Sequence, residues 1–372
     1  MKKLALTILG ALAIVGSGIA QNRSVEFQEG SFTEGVAKAK AANKLIFMDA
    51  YTTWCGPCKY MASKIFTQDK VADFFNTNFV NLKFDMEKGE GIELAKRFSV
   101  KAYPTFLVLD TAGNVVHRIV GSAEADEFIE KAKAALSPKT SLLGQKNEYD
   151  KGNREPEFVK SYLNTLKTAY MEEDAKQVAT AYLRSIKESD RVKKENWPIY
   201  NDFINDPSSK EFMFILTNRI KFTDAIGDSA ISAKIDAVFT EKAMTLLVNR
   251  KSAAYTKEEA SKLRKLISAS KPDNVEKFWA ILNLADSKFA KNGAAIAAYV
   301  NGPLKNVKLT DEEAYDILYQ IIPVVSDFST KDDVMIVAAY IDARMASMKD
   351  EKVKEYFTKL KAKLTSKLSE QK

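Results

Sequence analysis

LIFMDAYTTWCGPCKYMASKIF, residues 45–66, decides the fold. Leu45 to Ala50 is a short apolar run of strand length, and Cys55 to Phe66 has helix composition. Between them stands Trp54-Cys55-Gly56-Pro57-Cys58-Lys59. At such a junction the first cysteine falls at the helix N-terminus and the second lies one turn in, so both sulfurs meet on one face. Free backbone N–H groups and the helix dipole at that end stabilise a thiolate on Cys55. Cys58 is then placed to attack a mixed disulfide formed at Cys55 and release the partner. Pro57 fits an early helical position, where its missing N–H costs little.

The chain has 2 cysteines in 372 residues, three positions apart. A bridge across so short a loop restrains little of the unfolded chain, so chemistry explains the pair better than stapling. Half of a zinc site is the rival reading. A structural zinc needs four ligands, and the chain offers no other cysteine and one histidine, His117. No metal and no cofactor is expected.

Outward from the cysteines, residues 33–138 alternate helical and strand patterns. Thr33 to Asn43, Lys70 to Phe75, Ile92 to Phe98 and Ala123 to Leu136 read as helices. Phe79 to Asp85, Thr105 to Asp110 and Val115 to Val120 read as strands, the last two joined by a turn at Thr111–Asn114. His117 is expected to be an exposed strand residue. The pattern implies an α/β unit: a central mixed sheet flanked by helices, with an antiparallel hairpin at its edge. Ser137-Pro138 closes it, and polar residues 139–154, with Gly144 and Gly152, read as a linker.

From Glu155 to the end no strand pattern stands out, and 155–372 reads as an all-helical domain. Ala314, Ile317, Leu318, Ile321, Ile322 and Val325 follow helical spacing, with Pro323 expected to kink or stop that helix. Val353, Tyr356, Leu360, Leu364 and Leu368 stripe the last helix. Thr256-x-x-Glu259 and Thr310-x-x-Glu313 mark helix starts. Trp197 and Trp279 are expected in the core of this domain. Its helices suit either a solenoid-like array or an irregular bundle.

The WCGPC motif in its strand–helix context resembles the thioredoxin superfamily over roughly residues 25–137. Three further matches carry the resemblance. Asp49, five residues before Trp54, stands where thioredoxins keep a buried carboxylate, which implies that it takes the proton of Cys58. Tyr103-Pro104-Thr105 precedes a strand. In the family that proline is cis and faces the disulfide, and the backbone of the residue before it pairs with a bound peptide like an added strand. Gly113 and Gly121 match the hairpin and post-strand glycines. The resemblance thus implies catalytic Cys55, Cys58 and Asp49, with substrate bound along Trp54, Gly56, Pro57, Tyr103, Pro104 and Thr105. Tyr51 and Trp54 would rim the site. Two positions depart from the family. Tyr103 replaces a small or β-branched residue, and Asn81 stands where thioredoxin carries a lysine near the buried Asp, leaving Lys83 as the substitute if it reaches inward. This domain resembles exported thioredoxin-like proteins, in particular the C-terminal domain of the membrane electron transporter that reduces periplasmic proteins, rather than cytosolic thioredoxin.

The first twenty residues read as a secretory signal. Lys2 and Lys3 precede a 12-residue apolar run, Leu4 to Val15, shorter than the roughly 18–20 residues a membrane span needs. Small residues follow, and cleavage is expected between Ala20 and Gln21. The mature chain is therefore expected to be exported, periplasmic and not membrane-spanning. The net charge is +7, with bases scattered among acids and no basic block interleaved with aromatics. That pattern reads as solvated helix faces rather than a nucleic-acid surface. Together these readings give a thiol–disulfide oxidoreductase acting on cysteine-containing proteins. Gly56-Pro57 resembles the pair in reducing thioredoxins more than that of strongly oxidising exported enzymes, which implies a reductase, and outside the cytoplasm a reductase needs a membrane electron donor. An oxidase or isomerase using the same residues is the alternative. A further alternative makes residues 155–372 a partner-binding unit with an accessory redox domain.

Overall fold

The computed structural model describes residues 23–248 and 255–366. The expected signal segment, residues 1–20, and Leu368 lie outside them. The chain divides into two compact units between Val178 and Ala179.

In the first unit, strand β1 (Leu45–Tyr51) lies at the centre of a four-stranded sheet. Its middle five residues are all buried, as they are in a strand covered on both faces, and this is why the sequence there is almost continuously apolar. Strand β2 (Phe79–Asp85) runs parallel to it. Strand β3 (Thr105–Leu109) is antiparallel to β1 on the other side, and strand β4 (Val115–Val120) closes that edge, giving the order β2-β1-β3-β4. The β3–β4 turn is set locally. The Asp110 carboxylate accepts from the backbone N–H groups of Ala112 and Asn114 at 2.8 and 2.9 Å, and Gly113 takes φ +81°.

Alternation along the strands sends two sets of side chains to opposite faces. Phe47, Phe106 and Ile119 meet Met61, Ile65, Phe66, Phe75 and Phe128 on one face. Ile46, Met48, Leu82, Leu107 and Leu109 meet Phe32, Leu94 and Phe98 on the other. The helices that cover these faces are α1 (Phe32–Ala42), α2 (Gly56–Tyr60), α3 (Asp69–Asn78), α4 (Gly91–Arg97) and α5 (Ala125–Lys133). The single helix expected over Cys55–Phe66 is α2 followed by a wider π turn, Met61–Ile65.

Residues 139–154 are not a linker. Ser141 caps helix α6 (Leu142–Asp150), which packs on β4 and on helix α7 (Pro156–Thr168). Gly144 marks a close approach rather than a flexible joint: a Cβ there would lie 1.9 Å from the Pro138 carbonyl oxygen. His117 is not exposed either. It is buried, and its Nδ1 accepts the Leu142 backbone N–H at 3.2 Å, supplying a partner for one of the free donors that begin α6. Burial without a counter-charge pushes its pKa down to about 4.

The second unit contains helices and no strand among its described residues. Helices there pack on the next but one: Asp228–Val248 on Val275–Phe289, Gly293–Asn301 on Lys331–Ser347, and Asp311–Phe328 on Glu351–Thr365. The Phe239 ring lies 5.6 Å from Phe212 and 5.5 Å from Phe278 in its core. Trp197 and Trp279 are half-buried at its margins rather than central. The helix expected to kink or stop at Pro323 does not stop there but runs on to Phe328, because Pro323 sits on the exposed side, where water can satisfy the carbonyl it frees.

Candidate active site

Cys55 occupies the capping position of α2, with extended backbone (φ −69°, ψ 110°). Its Sγ accepts the Cys58 N–H at 3.1 Å, and its own N–H donates to the Thr52 carbonyl at 3.3 Å. One of the helix's free donors therefore points at the sulfur, the arrangement that favours negative charge there. Pro57 lies in the first turn, as expected. The two sulfurs form a disulfide, with S–S 2.00 Å and Cα–Cα 5.3 Å. Both cysteines are nearly covered, Cys55 at 3% and Cys58 at 6% exposure, so depth does not separate their roles. Position does: one caps the helix and the other lies inside its first turn.

Asp49 belongs to the odd-numbered set of β1, the set that includes Phe47 and faces the Met61 and Ile65 side chains of the cysteine-bearing helix. It is buried, and among the described residues its Oδ1 has no hydrogen-bond partner. Burial pushes its pKa up to about 7, against an opposing pull from Lys83. The strand register puts Lys83 directly beside Asp49 and Asn81 beside Phe47. Lys83 is thus the lysine beside the buried carboxyl, but its side chain is exposed and its Nζ stands 5.4 Å from the centre of the Phe27 ring, so it does not reach inward to pair with Asp49. Asn81 instead ties the edge of β2 to the N-terminal segment, its carbonyl accepting from the Gln28 N–H at 2.8 Å.

The Tyr103–Pro104 peptide is cis. Pro104 is buried, and its carbonyl accepts the Gly121 N–H at 2.9 Å, where Gly121 takes φ +89°. Among the described residues the Tyr103 backbone takes no backbone partner, so its polar groups remain available to an added strand. The Thr105 side chain is buried and its hydroxyl donates to the Ala102 carbonyl at 2.8 Å, which braces the loop before β3. Trp54 and Tyr103 come together, ring centroids 6.0 Å apart and nearly perpendicular. Gly56 and Pro57 are exposed beside the disulfide, with nothing within 4 Å of where a Gly56 Cβ would be. Tyr51 is half-buried, and burial raises its phenol pKa.

Three residues at this rim were not anticipated. The Glu87 carboxylate accepts the Trp54 indole N–H, with both oxygens at 3.0 Å, and Glu124 accepts the Tyr60 hydroxyl at 2.5 Å. Tyr60, two residues past Cys58, was visible as an aromatic on the cysteine helix. Nothing in the sequence around Glu124 marks it. Among the described residues no cluster of three His, Cys, Asp or Glu side chains would hold a metal ion.

The family model for thioredoxin matches residues 23–134. Thioredoxin-1 of Drosophila melanogaster is 41% identical over 87 residues, covering 23% of this chain and 73% of that protein. The chain belongs to the thioredoxin family. Chloroplastic thioredoxin Y of Oryza sativa is 33% identical over 106 residues, 28% of this chain, and the match spans only 58% of its length. A solution structure of a Bacteroides thetaiotaomicron protein provisionally named a disulphide-isomerase is 48% identical, covering 32% of this chain and 98% of that one, with TM-score 0.30. The thioredoxin match ends within the first unit. Its Cys55–Cys58 pair is the redox-active element of this family domain.

Proposed function

We propose that the chain is an exported thiol–disulfide oxidoreductase that reduces disulfides of extracytoplasmic proteins. In the reduced enzyme the Cys55 thiolate attacks a substrate disulfide, forming a Cys55–substrate bond and expelling one substrate thiolate. Cys58 then gives up its proton to Asp49 and attacks Cys55. The mixed disulfide breaks, Cys55–Cys58 forms, and the second substrate thiol leaves. Two electrons pass to the substrate, and a dithiol of a membrane-bound donor returns them. The observation that carries the reading is a carboxyl held near neutrality, on the sheet face covered by the cysteine-bearing helix. Such a group takes and returns a proton at physiological pH. Gly56-Pro57 between the cysteines supports the reducing direction, and the Lys2-Lys3 start with its short apolar run supports export.

Trapping tests this. Cys58→Ser leaves no resolving thiol, so Cys55 should accumulate in cells as mixed disulfides with exported proteins and with a membrane protein. Mass spectrometry would identify both. Trapped partners that are all cytoplasmic, or no trapped species at all, would contradict the reading.

A further inference from the structure

Among the described residues, two carboxylates on the rim of the disulfide are held by neutral aromatic donors and by no cation. Glu87 accepts only the Trp54 indole N–H and Glu124 only the Tyr60 hydroxyl among side-chain partners in the described residues. Both glutamates are exposed. A neutral donor fixes a carboxylate in place without cancelling its charge, and it leaves further acceptor positions open. The nearby Lys88 is engaged with Asp85 at 3.3 Å.

These charges bracket the place where a peptide would lie. Trp54 immediately precedes Cys55 and stands edge-on to Tyr103, so Glu87 belongs to the Tyr103 end of the cis-proline loop. At the other end the Pro104 carbonyl holds Gly121, and three residues on Glu124 reaches Tyr60 beyond Cys58. Apart from Lys88, which adjoins Glu87 in sequence and is paired with Asp85, Lys59 and Lys101 are the cations close to this rim in sequence. Both are exposed and carry no side-chain partner among the described residues. A free lysine swings away from an incoming cation at little cost, whereas the two anchored carboxylates are already ordered for binding.

We propose that Glu87 and Glu124 determine substrate specificity, selecting polypeptide segments that carry Lys or Arg on both sides of the reacting cysteine. The inference rests on the exchange reaction proposed for Cys55 and Cys58. Each glutamate supplies one charge-assisted contact, and together they raise the rate of encounter with basic segments.

The test uses the reduced full-length chain and three oxidised peptides. They differ in bearing Lys, Glu or Ser two residues before and two residues after the reacting cysteine. Trp54 fluorescence, isolated by Trp197→Phe and Trp279→Phe in every protein compared, follows enzyme oxidation, and each rate is normalised to the same peptide's reaction with dithiothreitol. The Lys peptide should react about tenfold faster than the Glu peptide at low salt, and the ratio should shrink as ionic strength rises. Glutamine keeps an acceptor for Trp54 and Tyr60 while removing charge. In Glu87→Gln/Glu124→Gln the ratio should therefore fall to about twofold or less. Equal normalised rates for all three peptides in the wild type, or a preference that survives the double substitution, would overturn the proposal while leaving exchange intact. No reaction with any of the three would remove the exchange reading, and this proposal with it.

Discussion

Replacing Asp49 by Asn should stabilise the first unit progressively as pH rises. In the oxidised protein, burial holds the Asp49 carboxyl at about 7, whereas its ordinary value is 3.8. Between those values the folded chain keeps a proton that the unfolded chain has released. The neutral carboxyl's contribution is therefore fully present below about 3.8 and is lost as pH rises through about 7. A separation of about three pH units, at about 1.4 kcal/mol each, amounts to about 4 kcal/mol. Asparagine has no proton to lose, so the variant lacks this slope, whatever fixed cost its amide adds. The assay is urea unfolding of the oxidised full-length chain at several pH values. Trp197→Phe and Trp279→Phe would be made in both proteins, so that Trp54 alone reports on the first unit. The stability of Asp49→Asn relative to its parent should grow by about 4 kcal/mol between about pH 4 and pH 8.5. A difference that stays flat would show that Asp49 ionises normally. A difference that shrinks would show that Lys83 outweighs burial and holds the charged form.

Asp49→Asn should also slow release of substrate from the Cys55 mixed disulfide by about 10- to 100-fold near neutral pH, measured by rapid quench, because Cys58 loses its proton acceptor. His117, held at about 4 by burial against an ordinary 6.5, carries the opposite sign. Its contribution is present above about 6.5 and is lost as pH falls through about 4, a change of about 3 kcal/mol that should vanish in His117→Gln on acid titration of unfolding. Gly144→Ala should cost about 1–3 kcal/mol by denaturant unfolding, because its Cβ would meet the Pro138 carbonyl and force the start of α6 away from that segment.

The elements around the cysteines were legible because each rests on a local signal: an apolar run of strand length, a helix-starting Cys-Gly-Pro-Cys, and a Thr-Ala-Gly-Asn turn between two apolar runs. Helix α6 was not. Its apolar residues form no single stripe, and Gly144 has the look of a helix breaker until the Pro138 carbonyl is seen against it. His117 was misjudged although parity gave a clue. It shares its strand face with Ile119, which points into the core, so the same alternation places it inward. The placement of Lys83 beside Asp49 depends on the register between β1 and β2, which is set by packing across the sheet and not written in either strand. Glu87 and Glu124 join the site through contacts spanning 33 and 64 residues, a separation no local pattern encodes.

The most direct measurement compares the two single-cysteine proteins, Cys58→Ser and Cys55→Ser, in their reaction with oxidised glutathione at neutral pH. Cys55, which caps the helix and receives a backbone N–H, should form the mixed disulfide at least about 100-fold faster than Cys58. Equal rates, or a faster Cys58, would contradict the assignment of Cys55 as the attacking sulfur.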